Sequence, residues 1–183
     1  MTTIVILHDP TKEIHKEKHM ALRSILFFFL AFTLLIHAVE AAPFQPDDRT
    51  PEGIVFKVYK DFAWEALMAG SWDGLMEQPQ NILEQYFDAK LTALILKDRA
   101  CAEKKGMCNL SFVPIWGSQD PGARDLTVEK TDKPNIIIVK FRYPGNDEKV
   151  ELKYRLTKTA KGWRISDVSG KDWSLFSILS SPE

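Results

Sequence analysis

The chain has 183 residues with 24 Lys and Arg against 25 Asp and Glu, a formal net charge of -1. That balance excludes a basic surface able to hold nucleic acid through its phosphates, and it gives no polybasic membrane anchor. Length and an ordinary apolar fraction imply one domain once a leader is removed.

The longest apolar run, Ile25 to Ile36 (ILFFFLAFTLLI), lies near the front. A bilayer span needs about 20 apolar residues, whereas the h-region of a secretory signal needs about 7–15. Arg23 precedes the run, with Lys16 and Lys18 further upstream. Val39 and Ala41 supply the small side chains that signal peptidase needs, so cleavage is expected after Ala41. Met20-Ala21-Leu22-Arg23 would by itself make a compact n-region, leaving residues 1–19 as an over-long start or an extended n-region. The organisation expected is therefore an extension and signal peptide over 1–41, a flexible lead-in over 42–50 and one domain over 51–183, periplasmic or secreted. Contact with the membrane is expected only during export.

All four histidines, His8, His15, His19 and His37, precede the expected cut. The mature domain then has no Ser-His-Asp or Cys-His relay and no His-bearing metal site. No metal and no cofactor are expected.

Thr50-Pro51-Glu52 predicts a helix start: a capping hydroxyl, Pro at the first helical position and an early acid. Val55, Val58, Tyr59, Phe62 and Ala66 continue it at helical spacing, with an end expected at Gly70. A second helical stretch begins near Pro79 and Gln80, with Leu83, Phe87, Leu91, Leu94 and Ile95 on its apolar face and a bend near Phe87-Asp88. It runs to Cys101. Cys101 and Cys108 would enter an oxidising compartment, and Gly106 lets the chain between them close, which predicts a disulfide.

Phe112 to Arg124 (FVPIWGSQDPGAR) is irregular, rich in turn formers, and carries an exposed-looking Trp116. Four short strands follow: Leu126 to Thr131, Ile136 to Tyr143, Val150 to Lys158 and Trp163 to Val168. Short turns join them, predicting an antiparallel meander. An amphipathic piece, Trp173 to Leu179, would close the sheet. The class is α+β: N-terminal helices packed against a curved antiparallel sheet. Such a wrapped sheet leaves a conical hollow, a natural binding place.

This order resembles the nuclear-transport-factor-2-like cone fold. The last strand, Gly162-Trp163-Arg164-Ile165-Ser166-Asp167-Val168, is similar to its Trp-x-Ile-x-Asp ending. Pro114-Ile115-Trp116-Gly117-Ser118-Gln119-Asp120 is similar to the Gln-Asp turn of a bacterial envelope family in that superfamily, domain of unknown function 3828 (DUF3828). An acidic residue often precedes the Pro-Ile step there, where this chain has Val113. The resemblance spans roughly residues 50–180 and implies a fold and an exported setting. Enzymes of the ketosteroid-isomerase and polyketide-cyclase kinds share the cone, but fold alone does not confer their activity.

Asp167 is the candidate catalytic residue. On an ideal strand it shares the inward face with Trp163 and Ile165, where burial would raise its pKa and make it a base. It would equally serve as a strand-end carboxylate bonded to backbone or to an Arg. Trp116 and Asp120 would line the mouth of the hollow, or form a lid and a turn. Arg124 and Arg142 would grip a carboxylate or phosphate, or pair on the surface. Tyr154 and Trp163 complete the ligand-binding candidates. Glu151, Lys153 and Arg155 read as a wet sheet face or a partner surface.

The leading expectation is an exported, non-catalytic binding module. It would hold a small apolar ligand in the cone or an envelope protein partner, in the manner of an inhibitor or immunity protein. The alternatives are a small isomerase- or cyclase-like enzyme, with Asp167 as general base and Tyr86 or Tyr154 polarising a carbonyl, and a structural envelope protein that forms a homodimer through its sheet.

Overall fold

Thr50 starts the first helix as its sequence predicts. In the computed structural model, which describes residues 47, 49–66 and 74–182, its hydroxyl accepts from the Gly53 amide at 3.1 Å. Pro51 opens α1, Pro51–Phe62. The expected leader and its cut, the four histidines and the helix end expected at Gly70 lie outside the described residues. Those described belong to the unit Gln45–Glu183.

Ile54, Val55, Val58, Tyr59 and Phe62 form the buried stripe of α1. The helix then tightens into a 3-10 turn, Ala63–Ala66. A second 3-10 turn, Leu75–Glu77, precedes α2, Gln80–Tyr86, and α3, Ala89–Lys105. The bend expected at Phe87-Asp88 is a complete break. Both residues are extended; Phe87 bridges Ile165 in parallel, and the Asp88 amide donates to the Ile165 carbonyl at 2.9 Å. The Asp88 carboxylate then caps α3 by accepting from the Leu91 amide.

Cys101 and Cys108 are joined as a disulfide. It closes a short loop around Gly106, whose φ of +87° ends α3 in a conformation that favours glycine. The buried Asp98 carboxylate accepts from the amides of Asn109 and Leu110 and pins the chain as it leaves this loop.

The four strands form one antiparallel meander: β1, Arg124–Lys130; β2, Ile136–Arg142; β3, Lys149–Thr159; β4, Gly162–Ser169. Ile137 pairs with Tyr154, Val139 with Leu152 and Phe141 with Val150, placing their apolar side chains on one face. The helices cover that face, and their Val58, Leu83, Leu91 and Ile95 meet Val139, Leu152, Ile165 and Val168 in a single core. Register shifts interrupt the β1/β2 and β3/β4 ladders, and such bulges bend and twist a sheet. The architecture is α+β, helices packed on a curved antiparallel sheet. α4, Leu175–Leu179, closes the C-terminal end by burying Leu175 and Leu179. Among the described residues no helix is long and apolar enough to cross a membrane.

The disulfide fixes a loop that packs little of its own surface, so its stabilisation should be mainly entropic. Replacing both Cys101 and Cys108 by Ser should lower unfolding free energy by about 2.5 kcal/mol, the loop-closure entropy of such a short ring. Urea titration followed by tryptophan fluorescence measures this.

Candidate functional site

β4 carries an extra residue. Arg155 pairs with Asp167, but its neighbour Leu156 pairs with Ile165, so Ser166 is left without a partner across the ladder. The bulge reverses the alternation. Ile165 and Val168 both enter the core with no exposed surface, while Asp167 turns to the outer face beside Arg155. This corrects the inward orientation that an ideal strand predicts for Asp167.

Asp167 is nevertheless 8% exposed, because α4 folds over it. Its Oδ1 accepts from the Phe176 amide at 3.0 Å, and both carboxylate oxygens lie 3.0 Å from the donating Ser174 hydroxyl. Ser174 in turn caps the helix by accepting from the Ser177 amide. The carboxylate thus holds the start of α4 against β4, the strand-end role bonded to backbone.

The outer face beyond Asp167 opens into a groove of about 590 Å³ between β3, β4, the start of α3 and α4. Lys153 and Arg155 reach it from β3 and Lys90 from the first turn of α3; Trp173 and Phe176 give it an apolar end. Lys90 Nζ stands 4.6 Å above the Phe176 ring. Trp173 is braced edge-to-face by Phe112 at 4.9 Å. It also lies so close to Gly170 that a Cβ there would come within 2.4 Å of its Nε1. Among the described residues no carboxylate lies within ion-pair distance of Lys90, Lys153 or Arg155. The two acids in the groove, Asp88 and Asp167, are both spent on helix starts.

The other sequence candidates fall elsewhere. Trp116 is buried in the manner of the lid alternative and not at an exposed mouth, because the Val113–Ser118 turn folds it inward. Gly117 permits this with a φ of +64°. Trp116 stacks edge-to-face on Tyr59 at 5.3 Å and Phe141 at 5.9 Å, and its Nε1 donates to Glu65 Oε2 at 3.1 Å. Tyr154 is fully buried, with its hydroxyl 2.7 Å from that of Tyr59, which also donates to the Ile115 carbonyl. These side chains fill the described part of the space where a hollow was expected. Burial pushes both phenols up, with the neighbouring tyrosine and Glu65 reinforcing the rise at Tyr59.

Arg124 and Arg142 do not converge on an open site. Both pair with Asp147, Arg142 Nη1 at 3.0 Å, which ties the ends of β1 and β2 together. Asp120 is exposed, in a separate depression beside Pro121 and Tyr143. Trp163 is half-buried against the core edge. Tyr86 donates to Asp61 at 2.6 Å and receives Lys57 at 3.0 Å, a surface-proximal trio remote in sequence from Asp167. Burial raises the Tyr86 phenol, and its bond to Asp61 adds to that. Among the described residues no group of three or more His, Cys, Asp or Glu is placed to hold a metal.

Two features escaped the sequence reading. Lys90 and Trp173 join the groove only through tertiary packing. Glu65, three residues after Phe62 on the helical stripe, is buried where it accepts from the Leu75 amide and Trp116. Its pKa is raised because burial outweighs those two hydrogen bonds.

No family model matches this chain, and no curated protein does. Two solved structures are similar in shape. One is a protein of unknown function from Bacteroides thetaiotaomicron, 18% identical over 65% of this chain and 88% of that one, with a TM-score of 0.46. The other is a phospholipid-binding protein from Ralstonia solanacearum in complex with a phospholipid, 13% identical over 71% of this chain and 83% of that one, with a TM-score of 0.42.

Two measurements check these assignments. Asp167→Ala should cost about 1–3 kcal/mol, the penalty of stranding the Phe176 amide and the Ser174 hydroxyl, with faster amide exchange confined to α4. Glu65 has a folded pKa above its unfolded value, so its contribution is complete below the usual glutamate range and is lost as pH rises through the folded pKa. Wild type should therefore lose stability relative to Glu65→Gln as pH rises above 4.5. Urea midpoints of the pair across that range measure the difference.

Proposed function

We propose that this protein is an exported, non-catalytic binding module that holds its ligand in the outer groove beside β3 and β4. One observation carries the reading. Lys153, Arg155 and Lys90 open on that groove without a carboxylate partner among the described residues, while the candidate base, Asp167, is occupied as a helix cap. Cationic donors held on a rigid strand, next to aromatic side chains, are binding equipment. A carboxylate whose oxygens already accept from Ser174 and the Phe176 amide has little capacity left for taking a substrate proton.

Export rests on the short apolar run and its cleavage pattern, and the Cys101–Cys108 bridge fits an oxidising compartment. The periplasm of a bacterial envelope, and kinship with DUF3828 in the nuclear-transport-factor-2-like superfamily, belong to the same proposal. They rest on the Trp163–Asp167 ending and the Pro114–Asp120 turn. An inhibitor- or immunity-like role would use the same groove and sheet face.

Native mass spectrometry of the protein purified from the exported fraction of cells expressing the full chain tests this. A retained small molecule or protein partner is expected, and it should be lost from Lys153→Ala/Arg155→Ala at unchanged melting temperature. Retention unaffected by that double substitution would move the site elsewhere. Substrate turnover abolished by Asp167→Asn, in protein that still folds, would replace the binding reading with the enzymatic one.

A further inference from the structure

We infer that the ligand of this groove is an oxyanion, of phosphate or sulfate type, carried on an apolar body. The inference rests on the binding reading above and adds the chemistry of the ligand.

The charged end comes first. Lys153 and Arg155 are alternate residues on the outer face of β3, so their Cβ atoms stand about 7 Å apart on a rigid ladder. Two long cationic side chains at that spacing straddle a tetrahedral oxyanion. The guanidinium of Arg155 offers a planar fork of donors, and the ammonium of Lys153 offers a point charge. Lys90 faces them from α3 and Ser177 lines the same groove, whereas the hydroxyls of Ser166 and Ser169 on its wall donate to the Arg155 and Lys153 carbonyls. A wholly neutral ligand would leave three cations against two carboxylates, a net positive groove. A cationic ligand would meet three cations against the two carboxylates of Asp88 and Asp167, whose oxygens are also engaged by the amides of Leu91 and Phe176.

The apolar end is equally specific. Trp173 and Phe176 lie at the α4 side of the groove, half-buried rather than engulfed. Trp173 is held rigid between Phe112 and Gly170. An inorganic anion would leave the open part of Trp173 and the part of Phe176 not under Lys90 in water. An acyl or aryl group attached to the anion covers them, and apolar area removed from water is worth about 25 cal/mol per Å².

Isothermal titration calorimetry with three probes tests this. The probes are dihexanoyl phosphatidic acid kept below its micelle concentration, inorganic phosphate, and uncharged dihexanoylglycerol. The phosphatidic acid should bind about tenfold or more tightly than either of the others. Arg155→Gln should weaken it by about tenfold, the loss of a charged hydrogen-bonded contact, at unchanged melting temperature. Trp173→Leu should narrow its advantage over phosphate.

Equal affinity for phosphate and phosphatidic acid would overturn the apolar half of the assignment. Equal affinity for dihexanoylglycerol would overturn the anionic half and leave the binding reading intact. No binding of any probe, beside a retained natural ligand lost on Lys153→Ala/Arg155→Ala, would overturn the ligand class alone. The same silence with no retained ligand would overturn both.

Discussion

The register of the last two strands is constrained by two apolar residues that must bury together. Ile165 and Val168 are three apart, an odd spacing that strict alternation sends to opposite faces. Both are fully buried in the core. The unpaired Ser166 reconciles them, and the same step carries Asp167 to the far side of the sheet. Without that extra residue, either Val168 would face water with Asp167 turned inward beside Tyr154, or Ile165 would face water.

From this one offset the division of labour follows. The inner face is a packed interior in which Tyr59 answers Tyr154 and Ile115, Trp116 answers Glu65, and Glu65 answers the Leu75 amide, while the buried Thr92 hydroxyl has no hydrogen-bond partner among the described residues. The outer face keeps its cations turned to the solvent, and its one buried acid secures α4. Among the described residues these contacts fill the interior. The proposed groove lies on the surface, where side chains reach a ligand without emptying the core.

Much of the fold was legible in the residues. Thr50-Pro51 and the 3.6-residue stripe of α1 identify its start, and the alternation in Ile137–Tyr143 and Val150–Leu156 identifies both strands and their buried face. Leu83, Phe87, Leu91 and Ile95 were on the right face even though the helix breaks between them. The break itself depends on a bridge to Ile165 some eighty residues away, which no local pattern encodes. Trp116 follows the lid alternative: turn formers around it suggest a surface, yet Gly117 lets the turn point the indole inward onto the core. The candidate site was less legible. Lys153 and Arg155 were visible as a wet face, but Lys90 and Trp173 reach them only once α3 and α4 are folded against β4. Asp167 was correctly singled out as a buried carboxylate, and its orientation was the part that a single inserted residue decided. The odd interval between Ile165 and Val168 was the available signal for it.

The extended splice at Phe87-Asp88 also bears on how copies of the protein could meet. Among the described residues it pairs with the outer margin of β4 at Ile165, and β1 is the terminal strand at the opposite margin. A sheet obstructed along one margin can recruit another ribbon on the other margin only. Self-association by strand addition would therefore join β1 to β1 about a two-fold axis and stop at a pair, since neither subunit then offers a second margin for propagation into a fibre.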